Sequence, residues 1–243
     1  MREEGDVSLF DLAAAGWSSA AAAGDGASEA RLRNILYLHG FASSPRGRKV
    51  EALTAIFQPR GFRVIAPDLN IPSFERLDFR AMSRICVWEL KKHLPAVVVG
   101  SSLGALVALE AGRTALAAPL VLVAPALGFG RRWIEKLPPG DTLAFFHHGE
   151  GRELLIHRRF FEDMARVDAD EHPPPTPVIV IMGRRDESVP IEIVRDVWSR
   201  WQESGRLREG SRFVEIPQGD HGLTAHVDRI AEEILVAAER RSP

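Results

Sequence analysis

A serine set between glycines, an aspartate and a histidine stand in this chain in an order that suits nucleophilic attack on an acyl carbonyl. Ser102 is the centre of Gly100-Ser101-Ser102-Leu103-Gly104, Asp186 closes Gly183-Arg184-Arg185-Asp186, and His221 lies in Gly219-Asp220-His221-Gly222. A serine hydroxyl is a weak nucleophile until a base takes its proton. Histidine is that base when a carboxylate fixes its tautomer and stabilises its charge. The pentapeptide follows Ala96-Val97-Val98-Val99 and precedes Ala105-Leu106-Val107-Ala108-Leu109. Strand, sharp turn and helix are the setting of a nucleophile elbow, whose flanking residues must be small. Ser101 is the rival nucleophile, but the residues two away from it are Val99 and Leu103. It is expected to fill the turn beside Ser102.

The acid and the base each follow a predicted strand. Pro177 to Gly183 is continuously apolar, as in a strand buried on both faces. Asp186 then falls in the loop at that strand's carboxyl end, where parallel sheets gather catalytic groups. Glu187 is the nearest substitute acid. His221 follows the shorter run Phe213 to Pro217, and its rival, His226, falls at the start of the last helix. An oxyanion site completes the chemistry. The run Asn34-Ile35-Leu36-Tyr37-Leu38 leads into His39-Gly40-Phe41-Ala42-Ser43-Ser44-Pro45. Backbone amides from such a loop and from the residue after the nucleophile can bind a developing oxyanion. These amides are assigned to Phe41 and Leu103, with His39 bracing the loop.

The elements that must position these residues alternate between two periods. Strands are expected at Asn34–Leu38, Phe62–Ala66, Ala96–Val99, Leu120–Ala124, Val178–Met182 and Arg212–Ile216. Helices are expected at Lys49–Phe57, Ile191–Glu203 and Val227–Glu239. Val50, Leu53, Ile56 and Phe57 form the inner stripe of the first; Val194, Trp198 and Trp201 that of the second; Ile230, Ile234 and Leu235 that of the third. Such alternation predicts an α/β fold, a parallel sheet with helices on both faces. Leu127 to Thr176 is too long for a simple crossover. Within it, Leu143–His148 and Glu153–His157 flank a Gly149-Glu150-Gly151-Arg152 turn and predict a β-hairpin. A short helix is expected over Phe160–Val167. Trp133, Phe145, Phe146, Phe160 and Phe161 could line an acyl pocket, but most are expected to form this segment's own small core.

The run Tyr37-Leu38-His39-Gly40-Phe41, then Ser43-Ser44-Pro45 and Lys49, resembles the YqiA-like branch of the α/β-hydrolase superfamily. Gly100–Ala105, Gly183-Arg184-Arg185-Asp186 with Val189-Pro190, and Asp220-His221 fit the same pattern. The resemblance runs from about Asn34 to the end of the chain and is weakest across the middle segment. It implies a serine esterase or thioesterase with Ser102, Asp186 and His221 as its triad. It also implies a reduced, mainly parallel sheet of about six strands, without the antiparallel opening pair. Residues 31–243 would form the hydrolase domain, with a cap inserted over about 127–176. Residues 1–30 lie outside it and are expected to be a poorly ordered extension. Amide cleavage, acyl transfer, or ligand binding on a hydrolase frame are the alternatives.

Composition narrows the partners. The chain has 243 residues, of which 45% are hydrophobic, and a net charge of −2. No lysine-rich run appears, which argues against nucleic acid. Arg46, Arg48 and Lys49 after the oxyanion loop read as a solvated basic turn, with a phosphate-bearing leaving group as the alternative. Cys86 is the only cysteine, so an intrachain disulfide is impossible. It sits at helical spacing between Met82 and Leu90, a core position. His147 and His148 are adjacent on a predicted strand and point to opposite faces; no metal site and no cofactor are expected. Glu3, Glu4 and Asp6 oppose a secretory signal, and Leu12–Ala23 is too short and weakly apolar to span a bilayer. The expected location is cytoplasmic, and the expected partner is a small acyl ester or thioester.

Overall fold

A computed structural model describes residues 33–115 and 118–239, apart from the side chains of residues 129–131. The expected N-terminal extension lies outside the described residues. Six strands, β1 (Arg33–Leu38), β2 (Phe62–Ile65), β3 (Val97–Ser101), β4 (Leu120–Val123), β7 (Val178–Gly183) and β8 (Arg212–Ile216), form one sheet in the order β2-β1-β3-β4-β7-β8. Every pairing is parallel. The central strands β3, β4 and β7 are buried along their whole length. Their unbroken apolar runs are what a sheet covered on both faces demands. β8 is an edge strand, and Arg212, Phe213, Val214 and Glu215 are only half-buried.

Two groups of helices cover the sheet. α1 (Arg48–Phe57) buries Val50, Leu53 and Phe57 and packs against the C-terminal helix, α7 (Val227–Glu239). α2 (Phe79–His93) and α3 (Leu103–Ala115) pack together over β1 and β3. Asp78 caps α2 by accepting from the Ala81 N–H at 3.0 Å, satisfying a donor that the helix cannot. α3 is buried on nearly every side and correspondingly apolar all round,. α6 (Ile191–Glu203) buries Val194 and Trp201 as the spacing predicts, and Val197 with them. On α7, Glu233 is buried among the apolar residues. It tolerates this because Arg212 and Arg229 both pair with it.

The segment between β4 and β7 carries α4 (Phe129–Ile134), β5 (Thr142–His147), β6 (Arg152–His157) and α5 (Arg159–Met164). β5 and β6 pair antiparallel, Leu143 opposite Ile156 and Phe145 opposite Leu154. The predicted hairpin is present, and the helix after it is shorter than its pattern suggested. His147 is buried at the end of β5, and His148, which opens the turn after it, is exposed. Among the described residues no helix is long and apolar enough to cross a membrane.

Candidate active site

β3 runs two residues further than its β-branched stretch suggested, so the chain turns directly from strand into helix at Ser102. Ser102 has φ 53°, a left-handed conformation costly for any residue with a Cβ. The turn is held by Ser102 N–H donating to Val123 O at 3.0 Å and Ala105 N–H donating to Ser102 O at 3.0 Å. Its glycines are obligatory. A Cβ on Gly104 would lie 2.2 Å from the Leu38 carbonyl oxygen, and one on Gly100 would lie 2.6 Å from Ala105 Cα. The elbow therefore sits directly against the end of β1.

The loops after β7 and β8 meet beside it. Arg184 N–H donates to Ile216 O at 3.0 Å and Arg185 N–H to Gly219 O at 2.9 Å. Asp186 is fully enclosed, and its Oδ1 accepts from the N–H groups of Ser188 (2.9 Å) and Val189 (2.8 Å). Its other oxygen lies 2.7 Å from His221 Nδ1. An ionised carboxylate only accepts, so Nδ1 carries the proton and donates. Nε2 is then the free base, and it lies 3.0 Å from Ser102 Oγ. The three residues singled out by order are thus in hydrogen-bond sequence, Ser102 to His221 to Asp186. The rivals stand apart. Glu187 is exposed, and His226 ends a separate 3-10 turn, Thr224–His226.

Leu103 follows Ser102 directly, and the loop carrying Phe41 lies beside it. Leu103 opens α3, so its N–H has no acceptor within the helix. Gly40 brings the Phe41 loop close: a Cβ there would stand 3.1 Å from Ser102 Cβ. His39 is buried and braces the loop, its Nδ1 donating to Gly40 O (2.9 Å) and its Nε2 accepting from Leu69 N–H (2.9 Å). Asn70 Nδ2 donates to Ser43 O at 2.8 Å. The Phe41 ring is surrounded by Phe74, Trp133, Phe145, Phe160 and Phe161, with centroids 5.1–6.4 Å away. Four of the five aromatic residues weighed as pocket lining therefore pack around the loop, Phe160 and Phe161 fully buried, while Phe146 is 51% exposed. A cleft of about 1020 Å³ lies elsewhere, lined by Glu75, Arg76, His157 and Arg158 among others, and none of Ser102, Asp186 and His221 borders it.

One residue is not where its neighbours suggested. Arg46 and Arg48 are exposed, but Lys49 turns inward, and its ammonium donates to Ser101 Oγ at 2.8 Å. Burial pushes the Lys49 amine down to about 8, against the pull of the Asp220 and Asp186 carboxylates. The basic turn is thus divided between solvent and interior. The signal was present in the spacing: Lys49 stands one and two turns before Leu53 and Phe57 on the buried stripe of α1,. Burial likewise raises the Tyr37 phenol, which is hydrogen-bonded to Ser101, to about 12.

An all-parallel core with a serine elbow between β3 and α3, and an aspartate and a histidine in the loops after β7 and β8, defines the α/β-hydrolase fold. The chain belongs to the uncharacterised protein family UPF0227, whose model matches residues 34–230. Among solved structures, it is similar to alpha/beta hydrolase domain-containing protein 10 from mouse, at 20% identity and TM-score 0.68 over 86% of this chain and 90% of that one. It is similar to Est1E from Butyrivibrio proteoclasticus with ferulic acid bound, at 17% identity and TM-score 0.66 over 85% and 90%. It is also similar to the monoacylglycerol lipase of Paleococcus ferrophilus, at 17% identity and TM-score 0.61 over 82% and 94%. A search of curated protein sequences finds no match.

Proposed function

We propose that the protein is a serine hydrolase cleaving carboxylic esters or thioesters through an acyl-enzyme. The observation that carries this reading is the unbroken relay from Ser102 Oγ to His221 Nε2 (3.0 Å) and from His221 Nδ1 to Asp186 (2.7 Å). Ser102 Oγ attacks the carbonyl carbon while His221 Nε2 takes its proton. The carbonyl oxygen becomes an oxyanion facing the amides of Phe41 and Leu103. Asp186 stabilises the imidazolium without itself accepting the proton. The tetrahedral intermediate collapses, and His221 passes its proton to the departing alkoxide or thiolate. Water, deprotonated by the same nitrogen, attacks the acyl carbon; the bond to Ser102 Oγ breaks, Oγ takes the proton back from His221, and the acid leaves. His221 is 31% exposed on its side chain, so substrate and water can reach it.

The segment between β4 and β7 is proposed to act as the cap, since Trp133, Phe145, Phe160 and Phe161 all pack on the loop bearing Phe41. An esterase domain from Rhodothermus marinus and the monoacylglycerol lipase among the structural neighbours support the reading of an ester substrate.

The test is labelling with a fluorophosphonate probe, followed by peptide mass spectrometry. The expected adduct is on Ser102, and Ser102→Ala should abolish both the adduct and ester turnover, a loss on the order of 10⁶-fold. A folded wild type that takes no label, or takes it on Ser101, overturns the reading.

A further inference from the structure

The inward-turned ammonium of Lys49 has no part in the relay described above, yet it reaches the elbow that carries Ser102. Lys49 Nζ donates to Ser101 Oγ at 2.8 Å, and Ser101 is the residue next to the nucleophile. Two carboxylates act on the same ammonium, Asp220 from the loop after β8 and Asp186 from the loop after β7. The Tyr37 phenol from β1 meets Ser101 from the side. A neutral hydroxyl is weak compensation for taking an ammonium out of water. The composition sharpens the point. The chain has twenty-seven arginines and four lysines, and one of those four occupies this position. Arginine stays charged under all ordinary conditions, whereas a desolvated lysine can lose its proton.

We propose that Lys49 is a positioning residue for the hydrolysis inferred above, its ammonium fixing Ser101 and hence the elbow, and offsetting the Asp220 carboxylate that faces it from the loop after β8. The role rests on the triad being catalytic; the placement of the ammonium does not. Asp186 holds the His221 imidazole, and Asp186 and Asp220 both act on the Lys49 ammonium. With Lys49 charged, the Asp220 carboxylate is offset and Ser101 is held by a charged donor. With Lys49 neutral, Ser101 loses a charged donor and the balance is lost. Turnover then falls as pH rises past the Lys49 titration near 8. Tyr37, at about 12, stays neutral across this range and cannot supply the same limb.

The test is kcat and KM for a nitrophenyl ester from about pH 6 to about pH 10, in wild type, Lys49→Met and Lys49→Arg. Wild type should lose kcat above about pH 8, with one proton removed. Lys49→Met should lower kcat at neutral pH on the order of 10- to 100-fold, the range for a hydrogen bond to a charged group, with KM little changed and no alkaline limb. Lys49→Arg should restore part of kcat and move the limb beyond pH 10, because arginine does not titrate there. In parallel, carbon-13 lysine NMR should show one of four side-chain signals titrating near 8 in wild type and missing from both variants. If Lys49→Met does not fold, the comparison of wild type with Lys49→Arg decides alone. A wild-type profile flat to pH 10, or an arginine variant falling at the wild-type pH, overturns the proposal while leaving the hydrolase reading intact. A wild type that neither labels nor hydrolyses removes both.

Discussion

The backbone N–H of His148 donates to the carbonyl of Ala42 at 2.7 Å, joining the tip of the β5–β6 hairpin to the loop that carries Phe41. The contact is reinforced on both sides. The buried His147 ring meets Phe74 edge-on at 4.8 Å. Gly149 lies so close to the loop that a Cβ there would stand 2.7 Å from Ser44 Cβ. The hairpin tip and the Phe41 loop are therefore tied together, and the same loop carries Gly40, which packs against Ser102.

Gly149→Ala should expose this coupling. The new methyl forces either Ser44 or the hairpin to shift. A displacement of about 1 Å at a reacting centre can cost 10²-fold, so a loss of roughly tenfold in kcat is expected, with little change in thermal stability. Steady-state kinetics beside a melting curve measures both. Unchanged kcat would mean that the loop is held by His39 and Asn70 alone.

Asp186→Asn should retain the fold and lower turnover by a factor on the order of 10⁴, because an amide favours the wrong tautomer of His221. Glu187→Gln and His226→Asn should stay near wild type, since neither residue touches the relay. Purified variants assayed on one ester settle the assignment, and an active Asp186→Asn would move the acid elsewhere.

Gly104→Ala tests the elbow by sterics rather than chemistry. Its Cβ would lie 2.2 Å from the Leu38 carbonyl oxygen, a backbone atom that cannot rotate away. Overpacking of this kind costs about 1–3 kcal/mol or more, and the upper part of that range is expected. Denaturant unfolding reads it, and a melting profile matching wild type would disprove the close approach.

Lys49 also predicts how stability responds to pH. Its folded-state pKa, about 8, lies below the ordinary value of 10.5. Between those two values the unfolded chain holds a proton that the folded chain has released. Stability contributed by this group therefore rises with pH across that window and is lower beneath it. The difference in unfolding free energy between wild type and Lys49→Met should shift in favour of wild type from about pH 8 to about pH 10.5, while wild-type activity declines. Parallel losses of activity and stability would point instead to alkaline unfolding.

Much of this was legible in the chain itself. The central strands β3, β4 and β7 announce themselves because parallel strands buried on both faces leave unbroken apolar runs, and Ser102 and Asp186 each follow one; His221 follows the edge strand β8, whose run Glu215 interrupts,. The two elbow glycines mark a steric necessity that no other residue meets. Lys49 was misread because Arg46 and Arg48 beside it suggested solvent, although its helical phase with Leu53 pointed inward. The docking of His148 on Ala42 had no sequence signal at all. A hairpin pattern fixes its own pairing, but the surface its tip touches is set by how the whole segment packs. Glu233 was hidden for the same reason, since Arg212, which balances it, comes from a strand twenty-one residues away.

Cys86 is wholly buried in α2, and its thiol is pushed up to about 12 by burial and by the neighbouring Glu89. With the only native thiol inert at neutral pH, a cysteine placed at the exposed Phe146 would be the single site for a maleimide dye. The protein comes ready for one-colour fluorescence, with a reporter on the hairpin and no background residue to remove.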